Sequence, residues 1–264
     1  MPRRLIFLLA TGLSLLTGVI ALRAHLSAKA PKPSKASVVK LLSKCGRLEL
    51  KTLLKEAKRA RAYLHLLEQK NSSVDGELKT PGKLKRSYMH YPAEGDVYDE
   101  TSGLLYYFHR HRTKEKGHFH IFAIEPTCSR GTRISFPQKE EAFSHIVALS
   151  IDSKKRPTKL FCPNAWVTGE GMLTKEALMP YVKKFQIFDE ERSWITSSTL
   201  VALVRTFSPQ IEILLSQRDQ RFYKLQKHRK MDAQSLASDS TCEILSEISI
   251  DLDLQIEALE HLLS

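Results

Sequence analysis

Four histidines fall within twelve residues of this chain, His109, His111, His118 and His120, as two His-x-His pairs on either side of a short polar segment. Imidazole is the commonest protein ligand for zinc and its neighbours, and it exchanges a proton near neutral pH. The pairs sit in GLLYYFHRHR and GHFHIFAIE, with TKEK between them. Two runs rich in aromatic and β-branched residues around a short loop ending in glycine predict a β-hairpin. If Arg112 pairs with Gly117, His111 falls opposite His118 and His109 opposite His120. Paired residues share a face, so all four rings project to one side of the hairpin.

A metal centre needs imidazole nitrogens about 2.0 to 2.1 Å from one ion, with a position left for water if the centre is catalytic. Opposed residues on paired strands have β-carbons about 4.5 to 5.5 Å apart, so three rings from two strands can reach one ion. The expected cofactor is a divalent transition metal such as zinc, and the expected chemistry is hydrolase-like. Glu170 or Asp96 is the expected general base, and His90, Asp99 and His145 are the candidates to support the ligands from outside. A second reading makes the domain a non-enzymatic binding or structural module whose histidine face meets an anionic ligand or a protein. Tyr106, Phe108, Phe119 and Ile121 are expected on the opposite, core-facing side. Leu105, Tyr107, Phe122 and Ile124 continue the histidine face with apolar groups, so part of that face is expected to be covered.

The elements that must hold such a hairpin are legible from periodicity. Residues 38–69 read as helix, divided near Gly46, with Leu50, Leu53, Leu54, Ala57, Ala60, Leu64 and Leu67 at three- and four-residue spacing. Residues 71–87 read as a loop. A second hairpin is predicted from HIVALSID and TKLFCP around the turn residues Ser153 to Pro157. From Met172 the pattern turns helical, with Leu178, Val182 and Phe185 on one stripe that Pro180 interrupts. Ser208-Pro209 predicts a helix start. Ser240-Thr241-Cys242-Glu243 has capping-box form ahead of a final helix carrying Ile244, Ile248, Leu252, Ile256 and Leu259. Helix, then antiparallel sheet, then helices is an α+β order. No phosphate-cradling glycine loop and no dinucleotide fingerprint is present.

The chain has 264 residues and a formal net charge of +12. That charge is not spread evenly: residues 1–90 hold 19 Lys or Arg against 5 Asp or Glu, and the rest is close to neutral. A basic N-terminal third beside a hydrophobic segment points to anionic lipid or a solvated helix rather than nucleic acid. Arg3 and Arg4 precede eighteen uncharged residues, Leu5 to Leu22. Residues 1–30 therefore read as a signal anchor or signal peptide, 31–37 as a linker and 38–264 as one α+β domain. The expected location is membrane-anchored, periplasmic or exported, with membrane contact through that apolar segment. Cys45, Cys128, Cys162 and Cys242 show no Cys-x-x-Cys pair, and their disulfide state stays open between two bridges and four free thiols.

Gly103-x5-His109-x-His111-x3-Glu115 is similar to the first half of the cupin metal motif, but the later glycine and the second motif are missing. The strings HYPAEGDVYD, YYFHRHRTKEKGHFHIF, SHIVALSID, LFCPNAWVTGE, RTFSPQIEILLSQRD and ISIDLDLQIEAL, in that order, resemble an uncharacterised bacterial family known only as a domain of unknown function. The likeness runs from about residue 50 to 258. It implies a bacterial origin and an α+β domain, and it brings no activity. It also implies that the loop with His90, Pro92, Gly95, Asp96 and Tyr98 partners the histidine patch.

Overall fold

The computed structural model describes residues 31–78, 90–92, 95–110, 116–124, 133–135, 143–169, 171–188 and 194–264. Residues 32–264 form a compact unit with a core of their own. The segment Leu5–Leu22 lies outside the described residues, among which no helix is long and apolar enough to cross a membrane.

Helix α1 spans Lys35–Leu42 and starts on a capping box, in which the Ser34 side chain accepts from Ser37 N and Ser37 answers with Ser34 N. Gly46 is the N-cap of α2, Arg47–Gln69, whose buried stripe of Leu50, Leu53, Ala57, Ala60 and Leu67 follows the helical period. The main sheet has six antiparallel strands in the order β1 (Val97–Asp99), β2 (Leu104–His109), β3 (Gly117–Ile124), β5 (Phe143–Ile151), β6 (Pro157–Pro163) and β8 (Ile244–Ser249). A two-stranded sheet pairs β4 (Arg133–Ser135) with β7 (Met172–Leu173). Between β7 and β8 come α3 (Lys175–Lys183), α4 (Trp194–Thr206), α5 (Ser208–Arg229) and α6 (Ala233–Ala237), and α7 (Leu252–Leu263) closes the chain. The fold is α+β.

One face of the sheet builds the core. Tyr106, Phe108, Phe119, Ile121, Val147, Leu149 and Leu160 merge into a single apolar cluster with Leu200 and Leu203 of α4 and Leu214 and Leu215 of α5. Two polar groups inside it are tied off: the Tyr106 hydroxyl lies 2.8 Å from Ser197 Oγ on α4, and Ser246 Oγ donates to Leu214 O on α5. The histidine hairpin is thus fixed from behind by aromatic packing and by the Tyr106 hydroxyl contact, while Ser246 ties the far edge strand to α5.

Two expectations are corrected. The final helix does not begin at the Ser240 capping box. Residues 244–249 instead form β8 along the open side of β6, with Leu160 opposite Ile248 and Cys162 opposite Ser246, and the helix starts later, where Asp251 accepts from Asp253 N and Leu254 N. The four-residue spacing of Ile244 and Ile248 suits a helix, but the β6 edge offers unpaired backbone groups and isoleucine suits a strand. The hairpin register also differs. His109 lies opposite His118 and Tyr107 opposite His120, two residues from the expected pairing. Seven residues, not four, separate β2 from β3, because β2 ends at His109 rather than at Arg112. A Cβ at Gly117 would stand 2.6 Å from His109 O and 2.3 Å from the Phe108 ring, so only glycine lets β2 approach this closely.

Candidate metal centre

The observed register changes which histidines meet but not which face they share. The pairs Leu105–Phe122, Tyr107–His120 and His109–His118 all lie on the side away from the apolar core. His109, His118 and His120 are buried there, at 7, 1 and 0% exposure. Each directs Nε2 inward. His109 Nε2 is 2.6 Å from His118 Nε2 and 3.1 Å from His120 Nε2, and one ligand atom from each of the three falls within 4.8 Å of the others. The rings stand nearly perpendicular to one another, with centroids 4.4 to 4.9 Å apart.

Protons alone serve this arrangement poorly. An imidazole nitrogen has one in-plane position, which is either a lone pair or an N–H, so His109 Nε2 satisfies one of its two neighbours and not both. Protonating the rings instead puts like charges in contact in a desolvated site. A cation at the centre takes a lone pair from all three. In a tetrahedral zinc site, nitrogens about 2.0 to 2.1 Å from the ion are roughly 3.3 Å apart. The 3.1 Å pair is close to that, and the 2.6 Å pair requires the two rings to part by less than about an ångström. Three such ligands leave a fourth position for water or substrate.

His145 supports this cluster through a device with no sequence signal. Along β5, plain alternation would place His145 on the core face with Val147 and Leu149. The pairing with β3 slips between Ile121 and Phe122, so Val147 lies opposite Ile121 and His145 opposite Phe122, with Ile146 as the extra residue. That bulge turns His145 onto the histidine face. Its Nε2 lies 3.0 Å from His120 Nδ1, so the two rings share one proton, and His120 keeps its Nε2 lone pair for the centre when Nδ1 carries it. Burial, then the Arg218 charge, then that of His118, push His145 down from 6.5 to about 3. His145 is therefore neutral at any physiological pH.

Aromatic rings wall the cluster. Phe161 of β6 meets His118 and His120 edge-on at 5.2 and 6.1 Å, and Tyr107 and Phe122 stack at 5.4 Å. Tyr107 also connects the cluster to the outside. The His90 ring lies flat on it, centroids 3.7 Å apart and planes 9° off parallel, with its edge toward His109 at 6.0 Å. His90 Nδ1 is 2.9 Å from Asp96 Oδ1, and His90 is exposed. An Asp–His pair thus stands at the boundary between the buried rings and solvent.

The expected residues divide as follows. His109, His118, His120 and His145 come together, and His90 and Asp96 stand beside them as a pair. Asp99 is used elsewhere: its carboxylate accepts from Thr101 N, Ser102 N and Phe188 N and so fixes a turn and a loop. His111, Glu170 and Cys128 lie outside the described residues. Cys45, Cys162 and Cys242 are free thiols, and burial pushes Cys162 up to about 11. Tyr107 and Phe161 had no assigned part at the site. Tyr107 lies on the histidine face as expected, whereas the place of Phe161 beside His118 and His120 follows only once β6 is set against β5.

No curated protein and no solved structure matches the chain. A family model described as a domain of unknown function does match, over residues 54–250, a span that includes the whole histidine hairpin, the bulge at Ile146 and the His90–Asp96 loop. This chain belongs to that family, the DUF6969 domains.

Proposed function

We propose that His109, His118 and His120 bind a divalent transition metal such as zinc through Nε2, and that the domain is a metal-dependent, hydrolase-like enzyme on a membrane-anchored or exported chain. The convergence of three buried Nε2 atoms carries the reading. Bound there, the ion would lower the pKa of a coordinated water and polarise a carbonyl or phosphoryl oxygen. The protein's own contribution is positional. His145 fixes the tautomer of His120, the aromatic wall keeps bulk water from the rings, and β2 and β3 hold the ligands on a sheet braced by the core. Asp96 acts through His90: with its carboxylate on Nδ1, it orients the ring so that Nε2 is available to take or give a proton. Glu170 remains the alternative base.

The test is metal content. Purified residues 32–264, dialysed and then titrated with zinc, should take up one equivalent per chain with micromolar affinity or better, and His118→Ala should take up none. A protein that retains no stoichiometric metal and binds none at micromolar concentrations sinks the proposal. One observation favours the non-enzymatic reading: His118 and His120 are almost fully enclosed, which suits a structural ion as well as a catalytic one. A metal-loaded protein whose ion exchanges no water on the timescale of solvent relaxation measurements would move the assignment to a structural or binding module.

A further inference from the structure

Helix α2 buries one stripe and leaves the opposite side to solvent. At 100° per residue, Arg47, Lys51, Lys55 and Lys58 fall within an arc of about 80°, spread over about 17 Å of helix. All four are exposed. Lys58 pairs with Glu260 at 2.8 Å and Arg47 donates to Leu263 O at 3.2 Å, which ties the edge of the arc to α7. Lys51 and Lys55, at its centre and its far edge, have no acidic partner among the described residues. The acids of α2 are off the arc: Glu56 is buried and bound to Arg59 and Arg205, Glu49 points roughly to the other side, and Glu68, at the far end of the helix and about 60° outside the arc, lies 3.8 Å from His65 Nδ1. Beside the lysines stands Leu48, 80% exposed, the most exposed large apolar side chain described.

We infer that this face docks on an anionic phospholipid surface. Unpaired cations alone would suit any polyanion. Leu48 discriminates, because an apolar side chain among lysines gains by entering the headgroup region and gains nothing against a phosphate backbone in water. The chain's charge agrees, since the basic excess is confined to the first 90 residues, and Leu5–Leu22 is apolar and uncharged a dozen residues before α1. An apolar segment of that kind, if it anchors the chain, turns docking of the lysine face into an intramolecular event, so that face needs little intrinsic affinity. This inference does not rest on the metal centre.

The experiment uses residues 32–264, which carry their own core, so that Leu5–Leu22 cannot bind in their place. Co-sedimentation is measured with phosphatidylcholine vesicles, with vesicles containing 30 mol% phosphatidylglycerol, and with a 30-base-pair DNA duplex. Binding is expected to the anionic vesicles at low salt, to be lost in 0.5 M NaCl, and to be absent with neutral vesicles. At about a fivefold factor per lysine, Lys51→Gln with Lys55→Gln should weaken it roughly 30-fold, and Leu48→Ser should weaken it further with helicity unchanged. Absence of binding to anionic vesicles, unchanged binding of the double lysine variant, or tighter binding to the duplex than to vesicles would overturn the inference.

Discussion

Strands β2 and β3 present two faces that differ by one residue in register and by everything in chemistry. Tyr106, Phe108, Phe119 and Ile121 enter the core, where dispersion and loss of hydrated surface suffice. Tyr107, His109, His118 and His120 are as deeply buried, yet three of the four end in nitrogens that cannot all satisfy one another. A fold gains nothing from enclosing imidazoles this way unless something else completes them. The core face thus explains why the hairpin exists, and the other face is where the proposed metal would bind.

The sharpest way to break that comparison is to remove one large side chain from each face. Phe119→Ala should lower unfolding free energy by about 3 to 5 kcal/mol in urea titrations, with metal stoichiometry unchanged in the folded fraction. His118→Ala should do the reverse, abolishing metal uptake in equilibrium dialysis while costing the metal-free protein far less than the core change. A ligand at a hundred times its dissociation constant adds about 2.7 kcal/mol of stability, so only the parent should show a zinc-dependent rise in melting temperature. Equal effects of both substitutions on stability and on metal would mean that the two faces are one core.

A smaller effect is expected one shell out. His145→Ala removes the partner of His120 Nδ1 and should weaken metal affinity about 10- to 100-fold without changing stoichiometry. The same residue predicts a pH dependence in the metal-free protein. Its folded value, about 3, lies below the unfolded 6.5. Between these the unfolded chain takes up a proton that the fold excludes. Its contribution is therefore complete above about pH 6.5 and is lost as pH falls toward 3, at about 1.4 kcal/mol per pH unit. Urea midpoints in the presence of chelator should follow that slope from pH 6 to 4, and His145→Leu should flatten it. A parent and variant with the same slope would remove His145 from the account.

What the sequence made legible follows the same division. Side-chain parity is local within a strand, so the pairing of His118 with His120 on one face was readable directly, and His109 joined them because the observed register differs from the expected one by an even number of residues. The register itself was not readable, because it depends on where a seven-residue connection closes and on the close approach that Gly117 permits. The bulge at Ile146 is decided between strands, by how β5 fits β3, and SHIVALSID gives no sign of it. Strand β8 was missed for a related reason: residues 244–249 answer an edge that exists only once β6 is in place. The N-cap and apolar stripe of α2 involve neighbours in sequence and could be read directly.

Cys162 offers the finest test of whether the faces are independent. It sits in the core cluster, with Sγ 3.6 Å from Ile146 O at the bulge, and burial holds its thiol far from the reactive thiolate. Through Ile146 it thus touches β5 one residue from His145, but from β6 and on the core side of the sheet. If metal removal disturbs only the histidine face, a maleimide should label the half-buried Cys45 in the native protein and leave Cys162 protected, with or without chelator. Mass spectrometry of labelled peptides resolves the two sites. Chelator-dependent labelling of Cys162 would show that the ion braces the bulge and, through it, the core, so that the histidine face would be part of what holds the fold together.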